Sequence, residues 1–188
     1  MEITDVKTER AQTFSSSAIW KLTTQNIKKA GFGKPGLTYI EEVKMEIALG
    51  RALTGADSGG KECTWGNLVE KRVFDLLPMH YLLESRTRFA HPEIPQWTGA
   101  PDLLTKELVG DIKSPYTLKS FCNLVRCMEA GIETLKDEYP EYYWQLVSNA
   151  IINDCKYAEL IIYCPYLKEC KGEYKLEFKI TIKYPFQR

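Results

Sequence analysis

The sequence predicts a mixed α/β fold built around one sheet. Three observations carry that expectation: an apolar pattern of helical period before residue 77, two further helical patterns between 117 and 153, and short strand-like runs at 80–113 and 159–182. With 188 residues the chain is long enough to bury a core without disulfide or metal staples, so 1–188 reads as a single domain. Its 44% hydrophobic, 27% charged and 12% aromatic residues argue against wholesale disorder. No apolar run is long enough to cross a bilayer and the charged N-terminus has no signal-peptide core, so a cytoplasmic protein with no membrane contact is expected.

Taken in order, Ser15-Ser16-Ser17 precedes a helix-like run containing Ile19, Trp20 and Leu22, for which a serine would serve as N-cap. Gly31-Phe32-Gly33-Lys34-Pro35-Gly36 reads as a flexible loop, and it lacks the spacing of a phosphate-cradling P-loop. Residues 38–53 place Ile40, Val43, Ile47 and Leu49 near helical period, and a second glycine-rich loop covers 55–60. From Thr64 to Leu77 a helix is expected, with Leu68, Val69, Val73, Leu76 and Leu77 as its apolar stripe and Pro78 beyond its end. Residues 80–89 and 108–113 read as strands separated by Gly99-Ala100-Pro101. One long amphipathic helix is expected over 117–136, and a second over 141–153, opened by Pro140. Residues 159–164 form a short continuous apolar run, the mark of an interior strand. Leu176, Phe178, Ile180 and Ile182 alternate with charged neighbours, as in a half-exposed strand.

Formal net charge is zero, so no global field draws the chain to nucleic acid. The charge is uneven, however: residues 1–35 and 168–188 each carry six Lys or Arg against three acids. The six cysteines contain no C-x-x-C pair and read as free, mostly buried thiols. The sharper alternative is an iron–sulfur cluster on Cys63, Cys155, Cys164 and Cys170.

The chemistry-bearing segment runs from Pro101-Asp102 to Asp111-Ile112-Lys113-Ser114-Pro115. Strand alternation puts Asp111 and Lys113 on one face, with Ile112 buried on the other. Asp102 and Asp111 can converge on one hard cation, to which the Ile112 carbonyl adds an oxygen, and this donor set suits Mg2+ with Mn2+ as a substitute. Lys113 would orient the attacking water or balance charge on the phosphate. An Asp-x-Lys pair also arises by chance on charged surface strands. The Pro101-Asp102 pair nine residues upstream, with apolar strand residues between, is what sets this one apart. Glu70 on the helix after Trp65-Gly66 can reach the metal from above the sheet, or be a solvated helix charge. Gln145 can hold the nucleophilic water or a phosphate oxygen, or be an ordinary polar position. The serines Ser15 and Ser17 can cap a helix or bind phosphate.

Taken together, Trp65-Gly66-x-x-x-Glu70, Pro101-Asp102, Asp111-Ile112-Lys113-Ser114-Pro115 and Tyr142-Tyr143-Trp144-Gln145 resemble, in that order, the phage lambda exonuclease or YqaJ-like branch of the PD-(D/E)XK nucleases. Arg10-x6-Ser17 is similar to that branch's anchor for a 5′-phosphate. Thr38-Tyr39-Ile40-Glu41 and Leu53-Thr54-Gly55 are similar to an insertion of its phage-borne members. The resemblance spans roughly residues 10–165. It implies a PD-(D/E)XK core and a Mg2+-dependent exonuclease that digests one strand of linear double-stranded DNA from its 5′ end. Glu70, Asp102 and Asp111 would hold metal, with Lys113 and Gln145 serving the nucleophile and Arg10, Ser15 and Ser17 the terminal phosphate. It also implies a single-strand annealing protein as partner in recombination, and a homo-oligomer such as a trimer. Two features depart from the family pattern: the strand acid is Asp111 where Glu is commoner, and the sequence closes at Arg188 with no helix after the last strand, which weighs against a ring. The other functions expected of such a chain are an endonuclease or iron–sulfur nuclease on the same fold, or a non-catalytic DNA-binding module.

Overall fold

A computed structural model of the chain describes residues 11–24, 31–53, 60–74, 87–164 and 178–183. The first part holds a two-residue strand β1 (Phe14–Ser15), a single helical turn α1 (Trp20–Thr23), and the helices α2 (Lys34–Leu49) and α3 (Lys61–Phe74). Strands β2 (Phe89–Ala90), β3 (Trp97–Gly99), β4 (Leu103–Leu104) and β5 (Leu108–Lys113) follow. Helices α4 (Leu118–Ala130), α5 (Ile132–Glu138) and α6 (Pro140–Ile152) then lead to β6 (Tyr157–Ile162) and β7 (Phe178–Lys183). The expected order of helices, strands, helices and strands holds for the main elements, while β1, β3 and β4 carry no pattern that announced them.

The strands divide into two sheets. In the main one, of order β4-β5-β6-β7, only β5 and β6 are parallel, with Asp111 opposite Leu160 and Lys113 opposite Ile162. A parallel pair needs a crossover between its strands, and α4, α5 and α6 supply it. The small sheet, of order β1-β3-β2, joins the chain's beginning to the segment just before β4. Because β6 is interior, both its faces are buried, with Ala158, Leu160 and Ile162 on one and Glu159 and Ile161 on the other. Alternation sends Val109, Ala158, Leu160 and Ile162 into one core with Phe121, Leu124, Met128, Leu135, Leu146 and Ala150 of the crossover helices. Ile112 and Ile161 point the other way, onto Leu103 and onto Val69 and Val73 of α3. Helices thus cover both faces of the main sheet.

Several expectations need correction. Pro35 and Gly36, assigned to a loop, lie in the first turn of α2, where a proline's missing N–H costs nothing. That helix ends at Gly50, which adopts a left-handed φ of 66°. Helix α3 begins at Lys61 rather than Thr64, and Leu68 is 66% exposed instead of joining the apolar stripe. The helix expected over 117–136 is two helices. Thr117 caps α4 by accepting from the Ser120 N–H at 3.1 Å, and Gly131, at φ 110°, breaks the axis before α5. Ser15 lies in β1, and α1 begins from Ile19 with no side-chain cap, so the serines do not serve as the N-cap. Leu76, Leu77, Pro78, most of 80–89 and the facing of side chains in 176–182 lie outside the described residues.

No helix among the described residues is long and apolar enough to cross a membrane. Leu146, with no exposed surface, sits where α6 meets the sheet. Leu146→Ala should cost about 2–5 kcal/mol of stability, read as a lower midpoint in a urea titration.

Candidate active site

The site forms at the end of β5, where three layers meet. Asp111 is 1% exposed, and it faces α6 because alternation puts it on the side of Val109. Its Oδ1 accepts a hydrogen bond of 2.6 Å from Gln145 Nε2, and its Oδ2 is 2.5 Å from Lys113 Nζ. Asp102 directly precedes β4, its N–H donating to the Gly110 carbonyl at 3.0 Å. Its Oδ2 accepts from the Ile112 N–H at 2.7 Å. A residue's N–H and C=O point to the same edge of an extended strand, so the Ile112 carbonyl also faces the Asp102 side. Glu70 comes from α3, across the other face of the sheet, and its charge reaches Asp102. The five residues of the expected core therefore gather from α3, α6, β5 and the start of β4.

Electrostatics follow from that gathering. Burial pushes the Asp102 acid well above the usual carboxylate range, the Asp111 carboxylate adds to it, and Lys113 only partly opposes it. Burial alone would lower the Lys113 ammonium, yet Asp111 and Asp102 outweigh it and hold the proton on Nζ more tightly than usual. Excess negative charge that one lysine does not neutralise is the condition a divalent cation relieves. The donors are all oxygen, which fits a hard ion. Among the described residues no three His, Cys, Asp or Glu side chains enclose an ion's position as they stand. Lys113 takes the Asp111 oxygen that an ion would use, and the oxygen donors with their buried negative charge fit a hard divalent cation in its place.

A cleft opens beside the acids, lined by Ser15, Ser16, Ser17, Arg88, Gly99, Ala100 and Gln145. Gln145 therefore borders the cleft and touches Asp111, joining the two as one site. The Ser15 and Ser17 hydroxyls are 3.3 Å apart. The Ser15 N–H donates to the Tyr39 hydroxyl at 2.8 Å, so α2 fixes the serine segment. Ser16 is bound to Ser148 of α6 at 2.8 Å, and Ser148 also accepts from Trp97 Nε1 at 2.7 Å. A Cβ on Gly99 would overlap Asn149 Oδ1 and Ser16 Oγ, so only glycine lets β3 pass so close. Arg10 lies outside the described residues. Arg88 went unmarked in the sequence; its Nη1 donates to Thr98 Oγ1 at 3.0 Å. It sits within a strand-like run of alternating arginines, Arg86 and Arg88, and that alternation was its one available signal. Tyr142, beside Lys113, was visible only as part of an aromatic motif.

The iron–sulfur alternative fails on geometry. Cys155 and Cys164 flank opposite ends of β6, whose six extended residues span roughly 17 Å, too far for two ligands of one cluster. Cys155 donates weakly to the Asn153 carbonyl at 3.5 Å, and burial pushes its thiol up to about 11. Cys63 is exposed, and Cys170 lies outside the described residues.

No family profile matches the sequence, and no curated protein does. Solved structures do. An alkaline exonuclease, LHK-Exo from Laribacter hongkongensis, superposes with a TM-score of 0.69 at 16% identity, over 93% of this chain and 79% of that one. Its complex with dAMP gives 0.71 at 15% identity, with the same shares covered. A phage-related exonuclease from Haemophilus somnus gives 0.64 at 14% identity, over 91% of this chain and 84% of that one.

Two consequences can be measured on the metal-free protein. Asp102→Asn keeps the acceptor for Ile112 but removes a charge, so it should raise the denaturation midpoint at pH 8. A raised carboxylate stabilises the fold most when protonated and loses that contribution as pH rises through its folded value. The gap between variant and wild type should therefore close on acidification; a gap that widened instead would contradict the charge assignment. The chain shares the backbone fold of these exonucleases.

Proposed function

We propose that the chain is a Mg2+-dependent exonuclease that degrades one strand of linear double-stranded DNA, starting at the 5′ end. The observation that carries this is the continuity through Gln145: one side chain borders a small cleft lined by Ser15, Ser16, Ser17 and Arg88 and donates to the buried acid Asp111. An enzyme that removes terminal nucleotides needs such an arrangement, with the end phosphate held beside the cutting centre. The acids alone would serve any nuclease.

Asp102, Asp111 and the Ile112 carbonyl would hold Mg2+, with Glu70 from α3 at its margin; Mn2+ would bind the same oxygens. Bound there, the ion would polarise the scissile phosphate and acidify a water. The chain's own residues do the rest. Gln145 fixes the Asp111 carboxylate by its 2.6 Å hydrogen bond. Lys113, which keeps its proton, orients the attacking water and balances charge on the phosphate as the bond to the leaving oxygen lengthens. Ser15, Ser17 and Arg88 offer two hydroxyls and a guanidinium to a terminal phosphate, and Arg10 would join them. A single-strand annealing protein as recipient of the exposed strand, a role in phage-type recombination and assembly as a trimer belong to the same proposal. They rest on the motif resemblance.

A binding-only module is disfavoured by the acids themselves. Asp102 and Asp111 repel one another in a buried setting, at a cost to stability that DNA binding alone does not need.

Digestion of end-labelled linear duplex beside a closed circle, with and without Mg2+, is the deciding experiment. Loss of the linear form alone, only with Mg2+, is expected; cutting of the circle would point to an endonuclease, and no cutting to a binding module. Asp111→Ala should abolish the activity while circular dichroism stays unchanged. Arg88→Ala and Arg10→Ala should each reduce the preference for 5′-phosphate over 5′-hydroxyl ends by about 10- to 100-fold, taking about 1.5–3 kcal/mol for a charged hydrogen bond. Equal wild-type rates on the two ends would remove the phosphate cleft from the mechanism.

A further inference from the structure

Two contacts of the Lys113 ammonium bear on its position. Its Nζ pairs with Asp111 Oδ2 at 2.5 Å and also lies over the ring of Tyr142, 5.3 Å from the centroid. Tyr142 and Gln145 are three residues apart on α6 and so project from one face of that helix. That face therefore touches both halves of the ion pair: Gln145 holds the carboxylate and Tyr142 faces the ammonium. A second ring backs the first, since Tyr139 stacks on Tyr142 with centroids 5.5 Å apart and planes 9° from parallel. Tyr142 is also packed against the core beneath α4–α6. Its ring is therefore backed by Tyr139 and by the core.

The ion pair and a metal compete for Asp111. A divalent cation bound to that carboxylate repels the ammonium now on it, and a lysine stem has the freedom to swing away into solvent. We propose that Tyr142 is a positioning residue: its ring face keeps the Lys113 ammonium at the reacting centre when a cation takes its place on Asp111. The ring attracts the ammonium through its quadrupole but offers no oxygen to the metal, so it retains the lysine without competing for the ion. The inference rests on the metal-dependent nuclease reading above, but concerns a contact that can be followed without turnover.

The test has two arms. In the first, proton–nitrogen NMR of the lysine ammonium groups follows Lys113 in the full chain, assigned by the signal lost in Lys113→Arg. Ring-current shielding of that signal should be present without metal and persist when Ca2+, which supports binding without rapid cleavage, saturates the site. It should be lost in Tyr142→Leu and kept in Tyr142→Phe. In the second arm, Tyr142→Leu should lower kcat on linear duplex by about 5- to 30-fold, with KM for DNA unchanged within about twofold, while Tyr142→Phe stays close to wild type. Shielding that vanishes on Ca2+ addition overturns the proposal, as does a Phe variant as impaired as Leu, or a Leu variant as active as wild type. Should wild type fail to cut DNA with Mg2+, the nuclease reading fails, while the NMR arm still decides the role of Tyr142. Should the Leu variant not fold, wild type and Tyr142→Phe carry the spectroscopic test.

Discussion

Asp111 is a carboxylate with 1% of its surface exposed, and a charge so placed must be satisfied from within the protein. One oxygen takes the Gln145 amide and the other the Lys113 ammonium. Those two partners come from different elements, so meeting the demand of one side chain ties α6 to β5 at a set distance and rotation. The helix cannot slide along the sheet without stranding a buried charge. The position of Tyr142 above Lys113 and of Gln145 beside the cleft follows from the same tie.

The strand that carries Asp111 is also the strand where the two cores divide. Val109 faces the crossover helices and Ile112 faces α3, so β5 is anchored from both sides where it carries Asp111. Gly110 lets Leu103 pack onto the strand, since a Cβ there would come within 2.9 Å of the leucine side chain. That close approach brings β4 alongside and sets Asp102 against the Ile112 N–H. Packing on both faces thus determines the distance between two acids that are nine residues apart in sequence.

The serine segment is held by a different set of contacts. Tyr39 of α2 accepts from the Ser15 N–H, and Ser16 bonds through Ser148 to Trp97. These bonds run from the chain's beginning to α2, to β3 and to α6, the helix that bears Gln145. A cleft built from residues as distant as Ser15 and Gln145 owes its shape to a shared support. Tyr39, within Thr38 to Glu41, serves the serine segment as a strut.

The sequence alone determined the kind and order of the main elements, α2, α3, β5, the crossover helices and β6, because apolar periodicity follows from which face each element buries. It also determined the acid–lysine strand, since Asp111, Ile112 and Lys113 occupy fixed alternating positions on any strand. Boundaries went astray where one backbone conformation decides: Gly131 divides a helix whose apolar pattern runs on unbroken, and Pro35 opens one inside a glycine-rich stretch. Leu68 fits an apolar stripe but faces solvent, because the part of α3 that is covered depends on where the sheet lies. Arg88 joins the cleft and Tyr142 stands over Lys113 for the same reason: neither has a local pattern that says what lies across from it. The separation of Cys155 from Cys164 likewise became plain only once β6 was seen to run extended between them. Spacing along the chain fixes which way a side chain points, whereas what it meets is settled by the packing of elements distant in sequence.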